Sequence, residues 1–128
     1  MARRMRTRSP KAGLPPGTLV HIGEKTMEEA AVAVIDYDEA GCREIASASP
    51  QQCQDMREAK TITWVNVDGI HDVQLVERLG KIFSVHPLAQ EDIVNSTQRP
   101  KYEDFGDHLF MCLKMLYLDE ERRRIVAE

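Results

Sequence analysis

Two adjacent carboxylates, Glu91 and Asp92, lie in the second half of a short helical stretch, VHPLAQEDIVN, from Val85 to Asn95. A helix favours anions at its amino end and cations at its carboxyl end, so the pair sits where the backbone dipole disfavours it. On a wheel that starts at Pro87 and turns about 100° per residue, Leu88, Ala89 and Ile93 define an apolar arc. Asp92 falls near 140°, within that arc, and Glu91 near 40°, at its edge, roughly by the same count. An acid turned toward a packed surface needs a cation, a bound proton or a backbone donor. Three kinds of chemistry answer that need. Asp92 could pair with an arginine such as Arg99, hold a divalent cation together with another element or subunit, or act as a catalytic carboxylate. The last has no matching acid, base and nucleophile elsewhere in the chain.

The other reactive residue types are scattered. His21, His71, His86 and His108 form neither H-x-x-x-H nor H-E-x-x-H, so no helical zinc pair is expected. His86 precedes Pro87 and is expected to shape the entry to the helix. Cys42, Cys53 and Cys112 are an odd number without C-x-x-C spacing, which argues for a reducing compartment and against a disulfide framework or structural zinc. Cys112 lies in an apolar run and reads as a small core residue. G-x-x-x-x-G-K-[ST], G-x-G-x-x-G and G-x-S-x-G are all missing. The chain is therefore not expected to be an enzyme, and no catalytic or cofactor-binding residue is assigned.

Charge is distributed unevenly. Of 17 basic residues, five (Arg3, Arg4, Arg6, Arg8 and Lys11) fall in the first eleven positions, leaving 12 against 21 acidic residues in the rest. So acidic a body repels phosphate backbones and suits divalent cations, and no nucleic-acid partner is expected. Residues 1–12 read as a basic, disordered tail and residues 13–128 as one domain. No run of 18 apolar residues is present, so no membrane segment is expected within the chain.

The elements that must position Glu91 and Asp92 follow from pattern. TLVHI, AAVAVIDY and TITWVNV read as strands, with Trp64 in the last expected to anchor the core. Asp38 is expected to cap a helix over EAGCREIA, and SASPQQCQDMREAK to be a surface loop. Asp72 precedes VQLVERLGKIF, whose Val73, Val76, Leu79 and Phe83 repeat at helical spacing. PKYEDF, a Gly106-Asp107 turn and a buried strand over HLFMCLKMLYL follow, then a partial strand near the end. This order predicts an α/β fold, layered, with a mixed sheet.

Three segments, GLPPGTLVHIG, TWVNVDGIHD and VHPLAQEDIVNSTQRPKYEDFGDHLFMCLKML, occur in order across nearly the whole chain from Gly13. Together they resemble the cytosolic amino-terminal domain of the CorA magnesium and cobalt transporters. The GLPPGT opening is more similar to the magnesium branch than to a zinc-exporting branch of the same architecture.

The resemblance implies an α/β/α sandwich, incomplete here at its carboxyl end. It implies a homopentameric ion channel, integral to the membrane, for Mg²⁺ and also Co²⁺, with this domain on the cytoplasmic face of the cell membrane. It implies further that Glu91 and Asp92 are metal-site residues, facing carboxylates of a neighbouring subunit that this chain lacks. The expected function is thus Mg²⁺ sensing, with divalent ions between subunits favouring the closed state. The alternative is a stand-alone module that binds a protein or small ligand through the same acidic surface.

Overall fold

The computed structural model describes residues 10–127. The basic arm of Arg3, Arg4, Arg6 and Arg8 lies outside the described residues. The chain forms two compact units, Met1–Ser96 and Thr97–Glu128.

The first unit is built on a three-stranded sheet. Strands β1 (Ala31–Tyr37), β2 (Cys42–Ile45) and β3 (Ile62–Asp68) lie in the order β2-β1-β3. Period-two alternation puts Val32 and Val34 of β1 on one face, opposite Val67 and Val65 of β3. On that face they meet Cys53 and Met56 of helix α1 (Pro50–Arg57) and Leu79 of helix α2 (Val73–Ile82). The opposite face carries Ile35, Tyr37, Ile62 and Trp64, all exposed. The α/β class is as expected. One helical layer backs the sheet among the described residues of this unit.

The expected mixed sheet is corrected: every ladder among the described residues is antiparallel. The connection explains why. Both β2 and β3 run antiparallel to β1, so they run parallel to each other, and α1 makes the crossover between them. Because β1 lies between them, no parallel ladder forms. An isolated parallel bridge joins Ile22 to Asn95.

Two local expectations fail for identifiable reasons. Asp38 caps a turn rather than a helix. Its Oδ1 accepts from the Ala40 and Gly41 N–H groups at 2.8 and 3.1 Å, folding the chain back into β2. Conversely, the polar stretch read as a loop is α1. Ser49 Oγ accepts from Gln52 N, the Gln52 side chain returns to Ser49 N, and Pro50 opens the helix: a complete capping box.

Burial assignments shift accordingly. Trp64 is 65% exposed rather than a core anchor, because its parity on β3 points it away from the helices. The buried cysteine is Cys53, not Cys112, which is half-buried. Burial raises the Cys53 thiol above its usual range.

The second unit contains two hairpins. Strand β4 (Lys101–Asp104) pairs with β5 (Leu109–Cys112), and β6 (Leu116–Asp119) with β7 (Arg124–Ala127). The expected long buried strand is therefore two short ones. Leu109, Met111, Leu116 and Leu118 are exposed, because the described residues of this unit include no helix to cover them. The turn at Gly106 is as expected: Phe105 N–H donates to His108 O at 3.0 Å.

Candidate functional site around α3

Glu91 and Asp92 sit on helix α3 (Pro87–Ile93), and the end of α2 fixes where that helix starts. Ser84 adopts a positive φ of 56°. Val85 N–H then donates to Gly80 O at 2.8 Å and Ser84 N–H to Lys81 O at 3.4 Å. These two bonds close a Schellman turn. His86 follows as the amino cap of α3, its Nδ1 accepting from Leu88 N–H at 3.2 Å. Pro87 occupies the first helical position. His86 thus shapes the helix entry, as its place before proline suggested.

The buried side of α3 differs from the one its apolar residues suggested. Ala89, Gln90 and Val94 are buried, whereas Leu88 is 44% exposed. Gln90 is the reason. Its Nε2 donates to Val85 O at 2.7 Å, and its carboxamide fills the space over Gly80, where an added Cβ would come within 2.3 Å of Gln90 Cδ. A buried polar residue with a backbone partner shifts the inward stripe to residues 89, 90, 93 and 94. That stripe centres near 270° on the wheel, leaving Asp92 and Glu91 roughly 130° away on its two flanks. Asp92 therefore lies outside the buried stripe, not within an apolar arc.

A segment near the start of the chain wraps this helix. Lys11 Nζ donates to Glu91 O at 3.0 Å and to Glu91 Oε1 at 3.2 Å. Gly17 N–H donates to Glu91 Oε2 at 2.7 Å. Further on, Ile22 N–H donates to Val94 O at 3.0 Å, and Ser96 N–H returns to Ile22 O at 2.9 Å. TLVHI is thus not a strand of the sheet; it is an extended strap joined to the end of α3. The Gly17 N–H, with Lys11 adding to it, holds the Glu91 carboxyl below its usual range against an opposing effect of burial. The acid at an unfavourable helix position is stabilised by donors from 74 and 80 residues away. Asp92 is half-buried, and its backbone oxygen accepts from Asn95 N–H at 3.1 Å.

Glu91 and Asp92 are hard oxygen donors of the type Mg²⁺ selects. Among the described residues, no group of three or more His, Cys, Asp and Glu side chains could hold a metal ion. A site built on this pair therefore needs ligands beyond them. His21 and His71 approach edge to face with ring centroids 6.3 Å apart, away from the pair in sequence and, among the described residues, without an acidic third member. Sequence reasoning missed Lys11, which it placed in the tail; nothing in local spacing signals a contact over 80 positions.

Comparison with known proteins gives this geometry its context. The family model described as CorA-like Mg²⁺ transporter protein matches residues 59–126, a span running from β3 through α3 to β7. The chain belongs to the CorA-like Mg²⁺ transporter family. It is 40% identical over 120 residues to the cobalt/magnesium transport protein CorA of Thermotoga maritima, covering 94% of this chain and 34% of that protein. It is 36% identical over 62 residues to a protein named as a putative metal ion transporter in Schizosaccharomyces pombe, covering 48% of this chain and 8% of that protein. The chain thus spans about a third of the first relative's length and less than a tenth of the second's. Among the described residues, no helix is long and apolar enough to cross a membrane.

Proposed function

We propose that this chain is the cytosolic, Mg²⁺-sensing part of a CorA-type magnesium and cobalt channel, and that it regulates the channel rather than catalysing a reaction. The observation that carries this reading is the placement of two adjacent carboxylates outside the buried stripe of α3, in a chain of a magnesium-transporter family. Residues 13–128 act as one amino-terminal domain on the cytoplasmic face of the membrane, and the full protein assembles as a homopentamer.

In that assembly Asp92 and Glu91 face carboxylates of a neighbouring subunit. Without a cation the facing acids repel one another and the subunits separate more readily. A bound Mg²⁺ supplies the positive charge that links them. Because Mg²⁺ gives up its water reluctantly, contact through retained waters and modest affinity are expected. The closed arrangement is favoured only to the extent that it binds the ion better than the open one. Rising cytosolic Mg²⁺ thereby restrains further uptake.

The test is Mg²⁺ uptake by the full-length protein reconstituted in vesicles, with internal Mg²⁺ varied. Asp92→Ala is expected to raise the internal concentration needed to shut uptake off. Identical inhibition curves for the variant and the parent protein would refute the assignment.

A further inference from the structure

The residues that hold Glu91 bear on how a divalent ion reaches it. Lys11 Nζ bonds both the backbone oxygen and Oε1 of Glu91. The lysine and glutamate side chains are only 17% and 25% exposed, so the ammonium is packed against α3. The segment behind it is shaped by Leu14 N–H to Lys11 O at 3.1 Å and Thr18 N–H to Pro15 O at 3.2 Å. Gly17, at φ +81°, then aims its N–H at Oε2. A Cβ there would stand 3.3 Å from Pro87 Cβ, a tight contact, so the strap lies close against α3.

We propose that Lys11 is the resident cation of Glu91, and that a divalent ion binds the α3 pair only by displacing its ammonium from that carboxylate. This inference rests on the reading that Glu91 and Asp92 take Mg²⁺. The reason is electrostatic. A dication and an ammonium on one carboxylate repel twice as strongly as two unit charges at the same separation. Gly17 N–H is neutral and can stay, so the strap loses its charged tie and keeps its backbone tie. Reciprocity then fixes two consequences. Mg²⁺ exposes the Lys11 amine, and removing the Lys11 charge tightens Mg²⁺ binding by the same coupling factor. The lysine thus sets the Mg²⁺ concentration at which the sensor responds.

The experiment uses the full-length transporter at constant ionic strength. Acetylation of the Lys11 amine is quantified by peptide mass spectrometry across a Mg²⁺ titration, beside protease protection of the cytosolic region. Labelling of Lys11 is expected to rise along the same curve as protection, and Lys11→Met to move the protection midpoint to Mg²⁺ concentrations about fivefold lower. If protection still depends on Mg²⁺ and on Asp92 while Lys11 labelling stays flat, the competition is refuted and the metal reading survives. If protection does not respond to Mg²⁺ in the parent protein, both fall. The labelling arm needs no variant, so a poorly folding Lys11→Met leaves the decision intact.

Discussion

Gly17 donates its backbone N–H to Glu91 Oε2 at 2.7 Å, tying the strap to α3 across 74 positions of sequence. A hydrogen bond to a charged acceptor contributes about 1.5–3 kcal/mol, less where water reaches it. Glu91→Ala is therefore expected to destabilise the chain by about 1–2 kcal/mol in urea unfolding. Gly17→Ala should cost about 1 kcal/mol or more, because an alanine at positive φ is strained and its Cβ meets Pro87. The double variant should lose less than the sum, since a strap no longer tied to Glu91 can relax the alanine away from Pro87. Strict additivity would mean that the strap and Glu91 act separately.

Glu91 also gives the chain a pH dependence of known sign. Its folded carboxyl titrates below the unfolded one, chiefly because Gly17 N–H favours the anion. The stabilisation is thus fully present above the unfolded value, about 4.3, and lost as pH falls through the folded value. Unfolding followed from pH 6 downward should show a shallower acid loss in Glu91→Gln than in the parent chain. Parallel curves would remove Glu91 from the acid response.

Gly80→Ala tests the packing that orients α3. Alanine would ordinarily strengthen a helix interior by about 1 kcal/mol. Here its Cβ meets the Gln90 carboxamide, which cannot swing aside without losing Val85 O. The net effect is expected to be destabilising, by about 1–2 kcal/mol in thermal or urea unfolding. A stabilised Gly80→Ala would show that Gln90 moves freely.

Trp64 offers a contrast. Exposed on β3, it should emit at a wavelength typical of water-surrounded indole in the 128-residue chain. Trp64→Ala should cost under about 1 kcal/mol, against the 3–5 kcal/mol expected of a buried aromatic. A blue-shifted emission that moves on unfolding would contradict the exposed placement.

These residues also mark what the sequence could disclose. Helix α2 was legible because Asp72, whose Oδ1 accepts from Leu75 N–H at 2.9 Å, stands immediately before a 3.6-residue apolar repeat. Strand β3 was legible in outline from its β-branched residues, but the parity that turns Trp64 outward depends on where the helices pack. Helix α1 was written in Ser49, Pro50 and Gln52, yet its polar face outweighed that capping signature. On α3, Glu91 and Asp92 stood out by position in the helix. Their surroundings did not, because Gln90 looks polar and is buried, and Lys11 looks like tail and is bound. Long-range pairing leaves no trace in local periodicity.

In the proposed assembly Asp92 and Glu91 join subunits through Mg²⁺. Limited proteolysis of the full-length protein across millimolar Mg²⁺, with the parent and Asp92→Ala side by side, addresses it most directly. Protection of the cytosolic region is expected to rise with Mg²⁺ in the parent and to weaken in the variant. Equal protection of both proteins at every Mg²⁺ concentration would contradict it.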